Sequence, residues 1–395
     1  MTSDKTYNIQ EVKDKRSIRK FLDCPASLYK DDPYWSRPLD KDIESVFDRK
    51  KNKKFRKGDA IRWILSDNTG KVIGRVAAFF DEKTARKNDQ PTGGMGFFDC
   101  INDKEAAFQL FDVCKSWLKE KGMEAMDGPI NFGDREMFWG CLSEGFKEPI
   151  YNMPYNHGYY NDLFEAYGFK NYFNQYTFHR KIEKDGLSPQ TIEKAKRIFS
   201  NPDYTFSLID KKNLDKFAED FTIIFNKCWA TFPGVPKLAK AHAMAMINQM
   251  KPIIDPRLMI TAYYKNEPSG FFIMIPDISQ ISRKFNGKLN WYNKLRLLYF
   301  LKFTKSINRI IGVIFGVIPE HQKKGLDGGM VVTFEELALK KGFPYTDLEM
   351  NWIADFNPTM MKMVEQIGGK IYKVHITYRY LFDRNKEFKR AKRVN

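Results

Sequence analysis

A stretch near the middle of the chain recurs near its end, and this repetition limits the possible folds more than any other feature. Residues 163–172, Leu-Phe-Glu-Ala-Tyr-Gly-Phe-Lys-Asn-Tyr, lie on residues 363–372, Met-Val-Glu-Gln-Ile-Gly-Gly-Lys-Ile-Tyr, at a constant offset of 200. Glu, Gly, Lys and Tyr stay in register, and Thr177 and Phe178 carry the match on to Thr377 and Tyr378. Upstream, Lys121, Gly122, Asp127, Asn131 and Phe132 fall on Lys341, Gly342, Asp347, Asn351 and Trp352 at an offset of 220, so about twenty extra residues separate the blocks in the first half. A period this long argues for two copies of one domain rather than a solenoid of short units.

Each copy reads the same way. In the first, Ala107, Leu110, Phe111, Cys114, Trp117 and Leu118 recur at helical spacing and stop at Gly122. Met330, Phe334, Leu337 and Ala338, stopping at Gly342, are their counterparts. A short alternating strand follows each helix. In the second copy Leu348, Met350 and Trp352 take one face, and Asp347, Glu349 and Asn351 the other. A helix ending in Gly168 or Gly368 and an aromatic strand complete the unit. The expected fold class is α/β of the α+β type, with two tandem domains over residues 1–184 and 187–395. Each is a twisted mixed β-sheet flanked by helices.

The 395 residues leave room for two such domains, and 15% aromatic content fills their cores. Five cysteines without a CxxC pair supply neither a disulfide frame nor a zinc site, so no metal is expected and a reducing cytoplasm fits. The N-terminal Met-Thr-Ser-Asp-Lys lacks an export core, and no run of about 18 apolar residues occurs. A net charge of +17 favours an anionic partner. Residues 283–309 hold eight Lys or Arg and no acid, interleaved with Trp291, Tyr292, Tyr299, Phe300 and Phe303. This basic insertion, spanning residues 280–309, reads as an amphipathic hairpin suited to an anionic membrane surface, an acyl channel or tRNA phosphates. Packing against the other domain is the alternative.

One segment carries a chemical signature. A β-branched apolar run over residues 310–317 stops at Pro319, turns through Gly325 and enters a helix, which aims unpaired N–H groups at one point. Lys323 and Lys324 add positive charge there. This resembles the cofactor loop of the GNAT acyltransferase superfamily: Val317, Pro319, Gln322 and Gly325 match its pattern, and Asn357, Met360 and Met363 resemble its penultimate helix. The resemblance implies two GNAT-like domains, the first degenerate and the second binding acyl-CoA. It further implies transfer of an acyl group from acetyl-CoA or a longer acyl-CoA to an amine acceptor. Val317 and Ile318 would face the cofactor; Gln322, Lys323, Lys324, Gly325, Leu326, Asp327 and Gly328 would hold its pyrophosphate, and Asn357 its pantetheine arm. The plainer alternative is a surface turn with Asp327 as helix N-cap.

The pattern also breaks. Asp327 stands where Gly or Ala is usual, residues 310–316 contain no acid to act as base, and Val364 occupies the position of a leaving-group Tyr. Glu349, Asn351 and Tyr378 are the substitute catalytic candidates, Glu349 having a structural ion pair as its other reading. His321 reads as a solvent-facing loop residue. The first copy has no Gly-rich turn, and its Asp99, Asp103 and Glu105 disfavour a pyrophosphate. Its insert over residues 133–152 is expected to line a groove between the domains. Two other function classes remain open: a FemX-like aminoacyl-tRNA-dependent transferase, and a non-catalytic ligand- or membrane-binding module.

Overall fold

The computed structural model describes residues 6–392 apart from 88, 89, 134, 185, 231–236 and 305; residues 1–5, on which the export reading rests, and Lys305 of the basic insertion lie outside them. The strands, in chain order, are β1 (Asn8–Glu11), β2 (Gly58–Ser66), β3 (Val72–Asp81), β4 (Thr92–Cys100), β5 (Ala125–Gly128), β6 (Cys141–Glu144) and β7 (Lys170–Lys181). The second half supplies β8 (Tyr204–Leu208), β9 (Met259–Tyr264), β10 (Glu267–Pro276), β11 (Arg309–Val317), β12 (Asp347–Ala354) and β13 (Lys370–Leu381). Local chemistry sets many boundaries. Asp14 caps the helix Lys15–Leu28 in a reciprocal box with Ser17, and the β2–β3 hairpin turns where Gly70 N–H donates to Asp67 O (3.0 Å).

All thirteen strands form one sheet in the order β1-β2-β3-β4-β5-β13-β7-β12-β11-β10-β9-β8, with β6 beside β13. The order is a palindrome of the two copies: β1 to β5 answer β8 to β12, and the two aromatic strands meet at the centre. They are exchanged. β13, the last strand of the second half, pairs with β5, while β7 pairs with β12. In the β7–β13 ladder Gln175 lies opposite His375, residues one repeat apart, so a local two-fold axis passes between them. Recurrence of an aspartate now has a physical reason. Asp127 of β5 binds Arg379 of β13 (2.6 Å), and its counterpart Asp347 binds His179 of β7 (2.9 Å), so each half holds the other's final strand through an equivalent aspartate contact.

Helices cover both halves. Leu110, Phe111, Cys114 and Leu118 of Lys104–Glu120 enter the first core, where Tyr378 stacks on Phe164 at 5.3 Å. Met330, Val331 and Phe334 of Leu326–Ala338 fill the second. The C-cap Gly168 ends its helix in the left-handed region (φ 105°), and Gly368 follows the next at φ 83°, as a helix-stop glycine requires. One expectation needs correction. The basic insertion is not a hairpin: after the short helical turns Ser279–Ser282 and Arg283–Phe285 it forms one longer helix, Trp291–Phe303, because Leu297, Phe300 and Leu301 recur at helical spacing and pack on the second core.

At the central axis His375 is 1% exposed. Its Nε2–H donates to Pro154 O (3.1 Å), while Nδ1 finds no acceptor or donor among the described residues. Burial pushes its pKa down to about 4. The unfolded chain protonates this ring below about 6.5, the folded chain only near 4, so the stability tied to its neutral form is complete above 6.5 and lost as pH falls toward 4. Urea titrations at pH 7 and pH 4.5 should therefore differ by about 2–3 kcal/mol through this residue, and His375→Gln should flatten that part of the profile. An unchanged slope in the variant would remove His375 from the account.

Candidate functional site

β11 and β12 run parallel but stay paired only from Arg309–Gly312 against Asp347–Met350. Beyond that point they separate, and the β12–β7 register slips between Met350 and Ile353. The gap is a cavity of about 430 Å³. Its walls are apolar: Val313 and Phe315 of β11, Trp352 of β12, Trp229, Phe272, and Met360, Met363 and Val364 of the helix Pro358–Gln366. Polar groups are few. Asn351, Asn357, Arg135 and Glu136 reach it, the last being the one carboxylate lining the gap among the described residues. Arg135 and Glu136 come from the first half's insert, which Trp352 Nε1–H anchors by donating to Arg135 O (2.9 Å). The expectation that this insert lines a groove between the halves places it here, although residue 134 lies outside the described residues.

The loop after β11 is braced from below. Ile318 is buried in the core and its N–H donates to Ser269 O (3.0 Å), so it anchors the loop and its side chain does not face the gap. Val317 remains in the β10 ladder opposite Gly270. The Gln322 side-chain amide donates to Val317 O (3.0 Å) and closes the turn. His321 is not solvent-facing: it is buried between Tyr204 and Tyr264, with Nδ1 on the Tyr204 hydroxyl (2.7 Å), and desolvation, joined by Lys324, lowers its pKa. Lys323 takes a positive φ of 62° and Gly325 one of 95°. A Cβ at Gly325 would lie 2.8 Å from Lys194 O, so only glycine lets the helix start this close to the helix Pro189–Phe199.

Gly325, not Asp327, is therefore the N-cap, and it contributes no side-chain hydrogen bond. Among the described residues, none of the N–H groups of residues 323–328 has an acceptor in hydrogen-bonding geometry. The exposed Lys323 and Lys324 stand at this helix start, where the dipole is positive, while Gly325, Leu326 and Gly328 are buried. Asp327 is drawn aside to Lys194 Nζ (3.1 Å), which Gln366 also holds (3.0 Å), so its negative charge is compensated. Leu326 is fully buried and offers the site only its N–H.

The catalytic candidates separate in space. Asn351 lines the gap, its Oδ1 accepting from Trp352 N–H (3.0 Å). Asn357 also lines it while capping its helix through Met360 N–H (3.3 Å). Glu349 does not. Its side chain is wholly buried, in contact with Lys373 Nζ and 3.6 Å from Arg309, and Arg309 in turn binds Asp277 (2.7 Å). Burial lowers the Lys373 pKa against the pull of Glu349, while Asp277 and Glu349 hold Arg309 above its usual value despite desolvation. General-base work needs reach to an acceptor, and this carboxylate has none. Tyr378 is farther off. It belongs to the first core, its hydroxyl donating to Asn161 (3.0 Å) and Glu165 (3.1 Å). Exchange of β13 carried it away from the gap.

In the first half the equivalent strands β4 and β5 also diverge after three paired residues. There Ile130 N–H bonds Met95 O (2.8 Å), and Phe97 packs on Phe138 at 5.3 Å, leaving a cavity of about 90 Å³. Asp103 caps the following helix through Ala106 N–H (2.9 Å), and Asp99 is buried on Arg75 (2.7 Å).

Breaking the buried charge row tests its structural role. Glu349→Gln or Lys373→Met alone should each cost about 3–5 kcal/mol in urea unfolding, and the double variant less than the sum. Additive losses would show the two groups to be uncoupled.

No family model matches the chain. It is 26% identical over 389 residues to Protein YghO of Escherichia coli K12, covering 92% of this chain and 93% of that protein. It is likewise 26% identical over 377 residues to a bacterial ceramide synthase of Caulobacter vibrioides, covering 93% and 95%. A tandem GNAT protein from the clavulanic acid biosynthesis pathway superposes with TM-score 0.53 at 10% identity, covering 96% of this chain and 99% of that one. A GCN5-related glucosamine N-acetyltransferase region within a fungal multi-domain β-N-acetylglucosaminidase gives 0.55 at 11% identity, covering 96% of this chain but only 38% of that longer one. Strand order, the diverging parallel pair and these superpositions agree: the chain has the tandem GNAT fold.

Proposed function

We propose that the chain is an acyl-CoA-dependent N-acyltransferase whose single centre is the gap between β11 and β12. The observation that carries this reading is one juxtaposition: an apolar cleft of about 430 Å³ flanks the strand that leads into a glycine-capped helix start without a side-chain cap, beside the exposed Lys323 and Lys324. The residues suit the cosubstrate. Amides of residues 323–328 with Lys323 and Lys324 match a pyrophosphate, and Lys194 keeps Asp327 from repelling it. Asn357, which lines the gap, is our candidate for the pantetheine arm. When bound, acyl-CoA supplies the activated thioester carbonyl.

In the step itself an amine nitrogen forms a bond to the carbonyl carbon, the carbon–sulfur bond breaks, the amine loses a proton and the thiolate gains one. Glu136 is our candidate for the proton from the amine, being the carboxylate that lines the gap, and Asn351 orients the acceptor. Val364 offers no proton, so the thiolate leaves by protonation from solvent. The walls formed by Trp229, Phe272, Phe315 and the Pro358–Gln366 helix suit a hydrocarbon chain. A ceramide is an amide of a long-chain amine. The relative bearing the ceramide synthase name therefore supports a long-chain amine as acceptor for this chain too.

Calorimetry with acetyl-CoA and longer acyl-CoAs is expected to show binding that strengthens with chain length. Lys323→Gln with Lys324→Gln should weaken it about tenfold at low salt, and heat release by none of the acyl-CoAs would defeat the reading. Glu136→Gln should lower kcat by about 10²-fold with little change in acyl-CoA affinity. An unchanged rate would assign proton removal to water instead.

A further inference from the structure

The helix Trp291–Phe303 carries apolar side chains on two opposite faces, yet it lies on the surface. Leu297, Phe300 and Leu301 face inward onto the second core. Facing outward, Trp291 is 74% exposed, Phe303 72%, and Tyr292, Leu295 and Tyr299 56% each. At 100° per residue, positions 292, 295, 299 and 303 form one stripe, with Trp291 and Leu298 along its edge. A helix of this kind is ordinarily enclosed by protein. Here the stripe is edged by charge of one sign: Lys294 and Arg296 flank it, Lys302 stands beside Phe303, and residues 283–309 contain no acid. The Arg296 guanidinium lies over the Tyr292 and Phe285 rings at 5.6 and 5.5 Å.

We propose that this stripe is a docking surface for an anionic lipid bilayer. Tyr and Trp rings settle at headgroup depth, Leu and Phe insert below them, and flanking lysines and arginine meet lipid phosphates. Thirteen residues fall short of the roughly twenty that span a bilayer, so the helix lies in the interface. A second copy of the chain is a poorer occupant. A two-fold contact sets the patch against itself and brings Lys294, Arg296 and Lys302 toward their own equivalents with no acid to offset them. Nucleic acid would use the charges but leave Leu295 and Leu298 uncovered. The insertion joins β10 to the start of β11, whereas the glycine-capped loop follows its end, about 30 Å away at ~3.3 Å per residue. Docking by the helix thus leaves that loop in water.

The test is co-sedimentation of the full chain with phosphatidylcholine vesicles, with and without about 30 mol% phosphatidylglycerol. The chain should partition onto the anionic vesicles. Leu295→Ser, Tyr299→Ser and Phe303→Ser together should weaken this at least about tenfold, as should Lys294→Gln, Arg296→Gln and Lys302→Gln together at low salt. Leu295, Tyr299, Phe303, Lys294 and Lys302 are exposed, and Arg296 is half-buried over Phe285, so the apolar variant should keep the parent's thermal melt; a lowered melt in that variant would show the stripe to be a structural element and count against docking. No partition of the parent, an apolar variant that binds as before, a dimer dissolved by the apolar variant, or RNA that displaces the vesicles would each overturn the proposal.

Discussion

The ladder between β7 and β13 is the constraint on which the other features rest. Without it each half-sheet would end at β5 or β12 with a row of open N–H and C=O groups, a hazard that folded proteins suppress. Each half fills that place with the other's last strand, so neither completes its core alone: Tyr378 from the end of the chain is packed in the first core, and Phe178 in the second. The equivalent pairs Asp127–Arg379 and Asp347–His179 fix the exchange from both sides. A consequence is that the first half's insert is pinned beside β12, which brings Arg135 and Glu136 to the gap. A single half could not assemble that site.

The row Asp277, Arg309, Glu349 and Lys373 explains where the gap begins. Four charges alternate in sign across the end of β10, β11, β12 and β13, each nearly or wholly buried. Desolvating them is costly and is offset only because every charge has an opposite neighbour. Arg309 and Glu349 sit on the stretch where β11 and β12 still pair, just before the strands part. The first half's insert closes over this face, as Tyr151 N–H donates to Asp277 (3.3 Å) and Arg309 to Pro149 O (3.4 Å). The row acts as a fastening at the closed end, so divergence beyond Gly312 reflects geometry held in place rather than a weak ladder.

Patterns of short range were legible in the chain. Period-two and period-3.6 runs located the strands and helices, repeated glycines marked helix ends, and the run from β11 through Gly325 announced the turn that starts the next helix. What was hidden depended on partners distant in sequence. β7 and β13 alternate identically whichever neighbour they take, so exchange leaves no trace in their own residues. Alternation put Glu349 on a polar face, but burial of that face requires an insert about two hundred residues away. His321 is buried because Tyr204, 117 residues earlier, meets it. Glu136 sits in an insert with no periodicity, where one carboxylate among several attracts no notice. The basic insertion was legible in composition and misread in shape, since its apolar residues serve two opposite faces of one helix.

Comparison of the two halves shows how a duplicated fold divides its tasks. Both contain a parallel pair that parts after three or four residues, so a gap arises in each from backbone geometry alone. In the first, Phe97 and Phe138 line a cavity of about 90 Å³, and the helix after β4 begins with a carboxylate cap, Asp103, that accepts from Ala106 N–H. In the second, about 430 Å³ remains and the helix begins with a glycine that supplies no side-chain cap. The filled gap gives rigidity to the half that supplies the insert; the open one gains a wall it could not make. Asymmetry therefore follows from the exchange: once each half must finish the other, one can close its own cleft and spend its side chains on its partner's.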